Sequence, residues 1–169
     1  MLKFLDLPWI SRIRRNHALE HATLNILSSR LPGRSLAGLS DAAGFWVVGS
    51  VEVDALSAAV VDGLTRLRGG ERRLAYHAGC GTGYAVTGIV AGSLAWLGML
   101  GVKGGYRQKL DRLPLVITLA MLGAVVAQPL GTRLQTQVTT CAQPGAMQIT
   151  NIRIFGKGKI RLSRVSTRG

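Results

Sequence analysis

Cysteine is nearly missing from this chain of 169 residues: Cys80 and Cys141 are the only two. That is too few for the bridged framework of a small secreted domain. Acid is scarce too, with 8 Asp and Glu against 21 Lys and Arg and a net charge of +13. The first residues, MLKFLDLPWISRIRRNHALEH, lack the uninterrupted apolar run of a signal peptide, because Lys3, Asp6 and Arg12 to Arg15 interrupt it. Residues 1–83 are therefore expected to start on the cytoplasmic side. Charge is altogether missing from two long stretches, Ala78 to Val102 (25 residues) and Leu113 to Thr132 (20 residues). A helix of about 20 residues spans the ~30 Å hydrocarbon core of a bilayer. Neither predicted span, Tyr84–Val102 or Leu113–Gly131, contains a histidine or a charged residue, which argues against a proton relay, an ion path or a histidine-ligated pigment in the membrane.

What is present is unevenly distributed. Hydrophobic residues make up 47% of the chain, which excludes wholesale disorder. Charge sorts the chain into three parts: residues 1–83 at +3, the connector between the apolar stretches at +3, and the tail from Arg133 onward at +7, with seven basic residues and no acid. The expected architecture is a small α+β N-terminal domain (1–83), a two-helix transmembrane hairpin (84–132) and a basic β-hairpin tail (133–169). Positive charge near the spans places both termini in the cytoplasm. In the first part, the apolar spacing predicts a helix from about Ser11 to Ser29, strands at Arg34–Leu39 and Gly44–Val51, a second helix over Val53–Arg68, and a short strand at Arg73–His77. The first span carries Gly88-xxx-Gly92, a spacing that lets helix backbones approach closely. In the tail, alternation at Gln148–Phe155 and Lys159–Val165 around Gly156-Lys157-Gly158 predicts a hairpin. Its Lys and Arg suit anionic lipid headgroups, each worth about 1 kcal/mol near the surface. With Phe155 as its one aromatic and no nucleic-acid motif, nucleic acid is the weaker use of that charge.

The sharpest local pattern is His17-Ala18-Leu19-Glu20-His21, an H-x-x-E-H on a predicted helix. Residues four apart share a helix face, so both imidazoles can address one ion, with the Glu20 carboxylate beside them to hold or deprotonate a metal-bound water. The arrangement resembles that of the inverzincin metallopeptidases, an inverted H-E-x-x-H. Zinc needs a third protein ligand and, if catalytic, an open fourth position. His77 ranks first, because it would put all three histidines in one site. Glu52 ranks second; the resemblance to inverzincins, which use a downstream glutamate, favours it. Cys80, a thiolate three residues past His77, ranks third. The competing reading of the same stretch is an interfacial basic helix, with Glu20 paired to a neighbouring arginine.

Arg15-Asn16-His17-Ala18-Leu19-Glu20-His21-Ala22-Thr23, the Gly44-Phe45-Trp46 strand and His77-x-x-Cys80-Gly81-Thr82 together resemble a family of short bacterial membrane proteins from cyanobacteria and Chloroflexi, a domain of unknown function. The resemblance runs over about residues 12 to 140 and implies a bacterial plasma or thylakoid membrane. It departs at Gly79-Cys80-Gly81-Thr82-Gly83, where the family is associated with an Asn-Cys-Gly-Thr-Asn-like run. Two functions are expected from these features. One is a membrane-anchored metal-dependent hydrolase, most simply a zinc peptidase with Glu20 as general base and Zn2+ on His17, His21 and His77. The other is a non-catalytic accessory subunit or assembly factor of a larger membrane complex.

Overall fold

The computed structural model describes residues 3–156 and 161–169. The chain divides into two compact units, one formed by residues 1–78 and 136–169 and the other by residues 79–135.

The first unit is built on α1 (Pro8–Arg30). Pro8 lies in its first turn, where a missing N–H costs nothing. Leu31-Pro32-Gly33 ends it, and Gly33 takes the left-handed φ of +80° that the exit needs. Far from lying on a surface, α1 is the central helix: eleven of its residues are buried, and these run from Arg14 to Leu27. That overturns the reading of this stretch as an interfacial helix. α2 (Val53–Arg68) covers the span that the apolar spacing predicts. It crosses α1 at Gly63, where a Cβ would come 3.2 Å from that of Ala22.

Strands β1 (Ala37–Asp41) and β2 (Gly44–Gly49) form a hairpin, while β3 (Gln148–Phe155) and β4 (Arg161–Arg168) come from the tail. Of the predicted tail hairpin, Lys157, Gly158, Lys159 and Ile160 lie outside the described residues. The tail strands do not stand apart. β4 pairs with β2, giving one antiparallel sheet in the order β1-β2-β4-β3. Phe45 and Val47 of β2 and Val165 of β4 face the helices and meet Leu19, Leu27, Leu56 and Val60 in a single core. Burying a side chain of this size contributes about 1.5–3 kcal/mol. The strand predicted at Arg73–His77 is instead a 3-10 turn, Arg72–Ala75. No sheet neighbour is needed there, because side chains of α1 take up the carbonyls of Leu74, Ala75 and Tyr76.

The second unit contains α3 (Gly81–Met99), the short α4 (Tyr106–Asp111) and α5 (Leu113–Leu134). From Tyr106 to Thr139 the chain is helical almost throughout, and this segment and α3 are both long and apolar enough to cross a membrane. α3 and α5 pack side by side. The close approach is at Gly123, where a Cβ would lie 2.7 Å from the Ala91 Cα, and at Gly98, against Leu119 and Val116. Gly88 and Gly92 take no part, since a Cβ on either would meet nothing within 4 Å. Ala91 and Gly98, seven residues apart, share the face that meets α5; Gly92 is turned about 100° from it.

Candidate metal centre

One helical turn brings His17 and His21 together on α1. Their rings meet edge to face with centroids 4.3 Å apart, and their ligand nitrogens lie within 4.8 Å of each other. His77, just past the 3-10 turn, brings its ring centroid to 5.8 Å from that of His21. Two imidazoles on one tetrahedral zinc, with Zn–N of ~2.0–2.1 Å, place their ring centroids roughly 5 Å apart. The two observed separations bracket that value for His17 with His21 and for His21 with His77, but His77 does not join the group of ligand atoms within 4.8 Å of one another that holds His17 and His21.

Their hydrogen bonds fix the tautomers. His21 Nδ1 lies 2.8 Å from the Ala75 carbonyl, and His17 Nδ1 lies 3.0 Å from the Thr139 carbonyl. A carbonyl oxygen only accepts, so both Nδ1 atoms carry the proton. His77 Nδ1 lies 2.8 Å from Asn25 Oδ1. The Asn25 amide nitrogen donates to the Leu74 and Tyr76 carbonyls at 3.2 and 2.7 Å, which fixes its oxygen toward the ring, so His77 Nδ1 donates as well. In each neutral ring the lone pair therefore sits on Nε2. Imidazoles that bind metals are held in this manner, with the other ring N–H anchored to a protein oxygen. His21 is 1% exposed, and its Nε2 is buried without a hydrogen-bond partner. An unsatisfied buried acceptor is costly unless something else fills the position.

Glu20 is also buried, but its carboxylate turns toward β1, where it accepts a short hydrogen bond from Ser40 Oγ. The strand makes room for it: a Cβ on Gly38 would lie 2.2 Å from Glu20 Oε1. Glu20 thus pairs with this serine. Next along the strand, Asp41 is held below the usual carboxylate range, chiefly by its hydrogen bond with Arg164. Glu52 precedes α2 on the surface, its carboxylate 2.8 Å from the Arg161 guanidinium, and does not join the histidines. Cys80 caps α3 and belongs to the second unit.

Three supporting residues escaped the sequence reading. Asn25 was within reach, since it extends the His17, His21 spacing by one more step of four. Ser40 has no such signal. Arg14 is buried and donates to the carbonyls of Val138 (2.7 Å), Gln137 (3.1 Å) and Thr140 (3.3 Å). It clamps the segment whose Thr139 carbonyl orients His17. Beside Asn25, an open cavity of about 720 Å³ is lined by Arg66, Arg73 and Tyr76, among others. That is within the range of small-molecule sites.

The fold and the site thus define an α+β domain with two histidines on its core helix and a third just past the 3-10 turn, in a chain that also carries two helices long and apolar enough to cross a membrane. The chain belongs to the family described as a domain of unknown function, DUF6391, whose model matches residues 12–152. It is similar to an uncharacterised protein of Picosynechococcus sp. (strain ATCC 27264 / PCC 7002 / PR-6), at 41% identity over 98 residues, covering 50% of this chain and 48% of that protein. The chain thus spans about half the length of that curated relative. No solved structure matches it.

Proposed function

We propose that the protein is a membrane-anchored, metal-dependent hydrolase, most simply a zinc peptidase, with His17, His21 and His77 as ligands. The observation that carries the reading is the orientation of the three imidazoles: each Nδ1 donates to a protein oxygen, and the buried His21 Nε2 has no hydrogen-bond partner. Zinc bound there supplies Lewis acidity and a water acidic enough to ionise near neutral pH. Glu20 is the general base, and Ser40 holds its carboxylate until substrate arrives. The cavity beside Asn25 is the route by which a peptide approaches. α3 and α5 form a transmembrane hairpin in a bacterial plasma or thylakoid membrane. Both termini are cytoplasmic, and the basic tail lies toward anionic headgroups.

The test is metal content and hydrolysis in the full chain, purified in mild detergent without chelator. About one zinc per chain is expected, with loss of the metal in His17→Ala and in His21→Ala. Glu20→Gln keeps the metal and loses at least a hundredfold in cleavage of a quenched fluorescent peptide library. Absence of stoichiometric metal from intact protein overturns the reading.

One observation favours a second reading, an accessory subunit or assembly factor in which the metal is structural. The Glu20 carboxylate is occupied by Ser40 and buried over Gly38. On that reading Glu20→Gln leaves metal content and function intact, and the chain is recovered from the membrane in a stoichiometric larger complex. Cys80, three residues along the chain from His77, is the alternative third ligand. Retention of zinc in His77→Ala with its loss in Cys80→Ser would assign it.

A further inference from the structure

The helices cover one face of the sheet, and the registers define what the other face carries. Leu39 lies opposite Trp46, Trp46 opposite Arg164, and Arg164 opposite Arg153. In the next row, Ala37 lies opposite Val48, Val48 opposite Leu162, and Leu162 opposite Phe155. Leu39 is 70% exposed, and Val48, Leu162 and Phe155 are each between 38% and 47% exposed. The Trp46 ring is 5.8 Å from that of Phe155, and the Arg164 guanidinium sits 5.0 Å over it. Exposed apolar groups scattered singly need no explanation, but a contiguous set on one flat face does.

We propose that this outer sheet face is a docking surface for an anionic lipid bilayer. Chemistry and charge choose the occupant. Tryptophan with arginine is the pairing that settles at the level of the headgroups, the ring among the upper acyl segments and the guanidinium on phosphate. Among the described residues, the face has no acid apart from Asp41, which is already neutralised by Arg164. The chain as a whole is +13. A protein interface would set an apolar centre inside a polar rim. Here the apolar row runs across all four strands to one end of the sheet, and polar Ser166 and Asn151 follow Arg164 and Arg153 toward the other. Such a face lies against an interface with its apolar end deeper and the exposed Arg153 at the level of the phosphates, while Arg164 stays committed to Asp41. The inference rests on the membrane anchoring proposed above, which keeps a bilayer within reach of the domain, and is independent of the metal chemistry.

Two single-tryptophan forms of the full chain test it, reconstituted in nanodiscs of zwitterionic lipid with and without 30% phosphatidylglycerol. One retains Trp46 (Trp9→Phe with Trp96→Phe). The other retains Trp96 of α3 (Trp9→Phe with Trp46→Phe). Lipids brominated near the headgroup are expected to quench Trp46 emission at least twofold in the anionic discs and less in the zwitterionic ones. Arg153→Glu, at an exposed position, is expected to remove most of the anionic enhancement without changing Trp96 quenching. Quenching of Trp96 with Trp46 unquenched overturns the docking surface and leaves the anchoring standing. Quenching of neither overturns both. Equal Trp46 quenching with and without anionic lipid overturns the charge selection. Protection of Trp46 only when RNA or a protein is added assigns the face to that partner and overturns the proposal.

Discussion

At the residue scale, the unusual feature is how closely the partners of the H-x-x-E-H helix are specified. Glu20 occupies the space that a side chain at position 38 would need. In Gly38→Ala, the new Cβ would overlap the carboxylate and crowd the Glu20 Cγ at 2.7 Å, so the whole side chain must move from Ser40. Overpacking of this kind costs about 1–3 kcal/mol. We expect Gly38→Ala to lower the melting temperature and, if Glu20 is the base, to reduce hydrolysis while leaving metal content unchanged. Retention of both stability and activity would show that the Ser40 contact is incidental. The histidine pair itself was legible from spacing alone, because four residues make one turn, and Asn25 was legible by the same rule. The Thr139 carbonyl that orients His17 was not. A backbone acceptor 122 residues away leaves no trace in side-chain patterns.

At the scale of elements, the β1–β2 turn and the α3–α5 contact lead to separate expectations. Asp41 accepts from the Ala43 N–H within the turn and from both terminal nitrogens of Arg164 on β4. Its folded pKa lies below the ordinary value of 3.8, so the contact stabilises the fold above the unfolded pKa. That stabilisation is lost as pH falls through the depressed folded pKa. In Arg164→Gln the Asp41 titration, followed by carboxyl NMR, should move back up toward the ordinary range. Stability above the unfolded pKa should fall, and the part of its loss at acid pH that comes from Asp41 should disappear. Between α3 and α5, Gly123→Val forces the helices apart and is expected to destabilise the pair by about 1–3 kcal/mol, read as a lower melting temperature of the helical signal in detergent. Gly92→Val, on the face that meets nothing, is the matched control and should change little. Both apolar helices and α2 were readable from their composition and period. The helix face that carries the contact was not, because glycine spacing marks where a close approach is allowed and not which face uses it.

At the scale of the whole molecule, the two ends of the chain build one sheet, and the helix that carries His17 and His21 packs on it. Removing residues 148–169 would delete β3 and β4 yet leave every proposed ligand in place. It would strip Val165, Ile149 and Ile152 from the core. The Thr167 hydroxyl that donates to Asn16 on α1 would go too, along with the Thr167 N–H that bonds the Ala43 carbonyl. Full burial of side chains of this kind contributes about 1.5–3 kcal/mol each, against a total domain stability of roughly 5–15 kcal/mol. Losing these contacts together leaves α1 without a completed sheet to pack on. The prediction is therefore that the truncated chain, in detergent, retains the helical signal of α3 and α5 but loses both stoichiometric zinc and the protease resistance of residues 8–78. Trypsin, with its many Arg sites in this region, reads the second change directly. If instead the truncated chain keeps its metal and melts cooperatively, the first 78 residues fold without the tail. The basic hairpin would then be an addition to an independent domain, and the three histidines would need nothing beyond α1 and the turn before His77, apart from the Thr139 carbonyl that the truncation leaves in place.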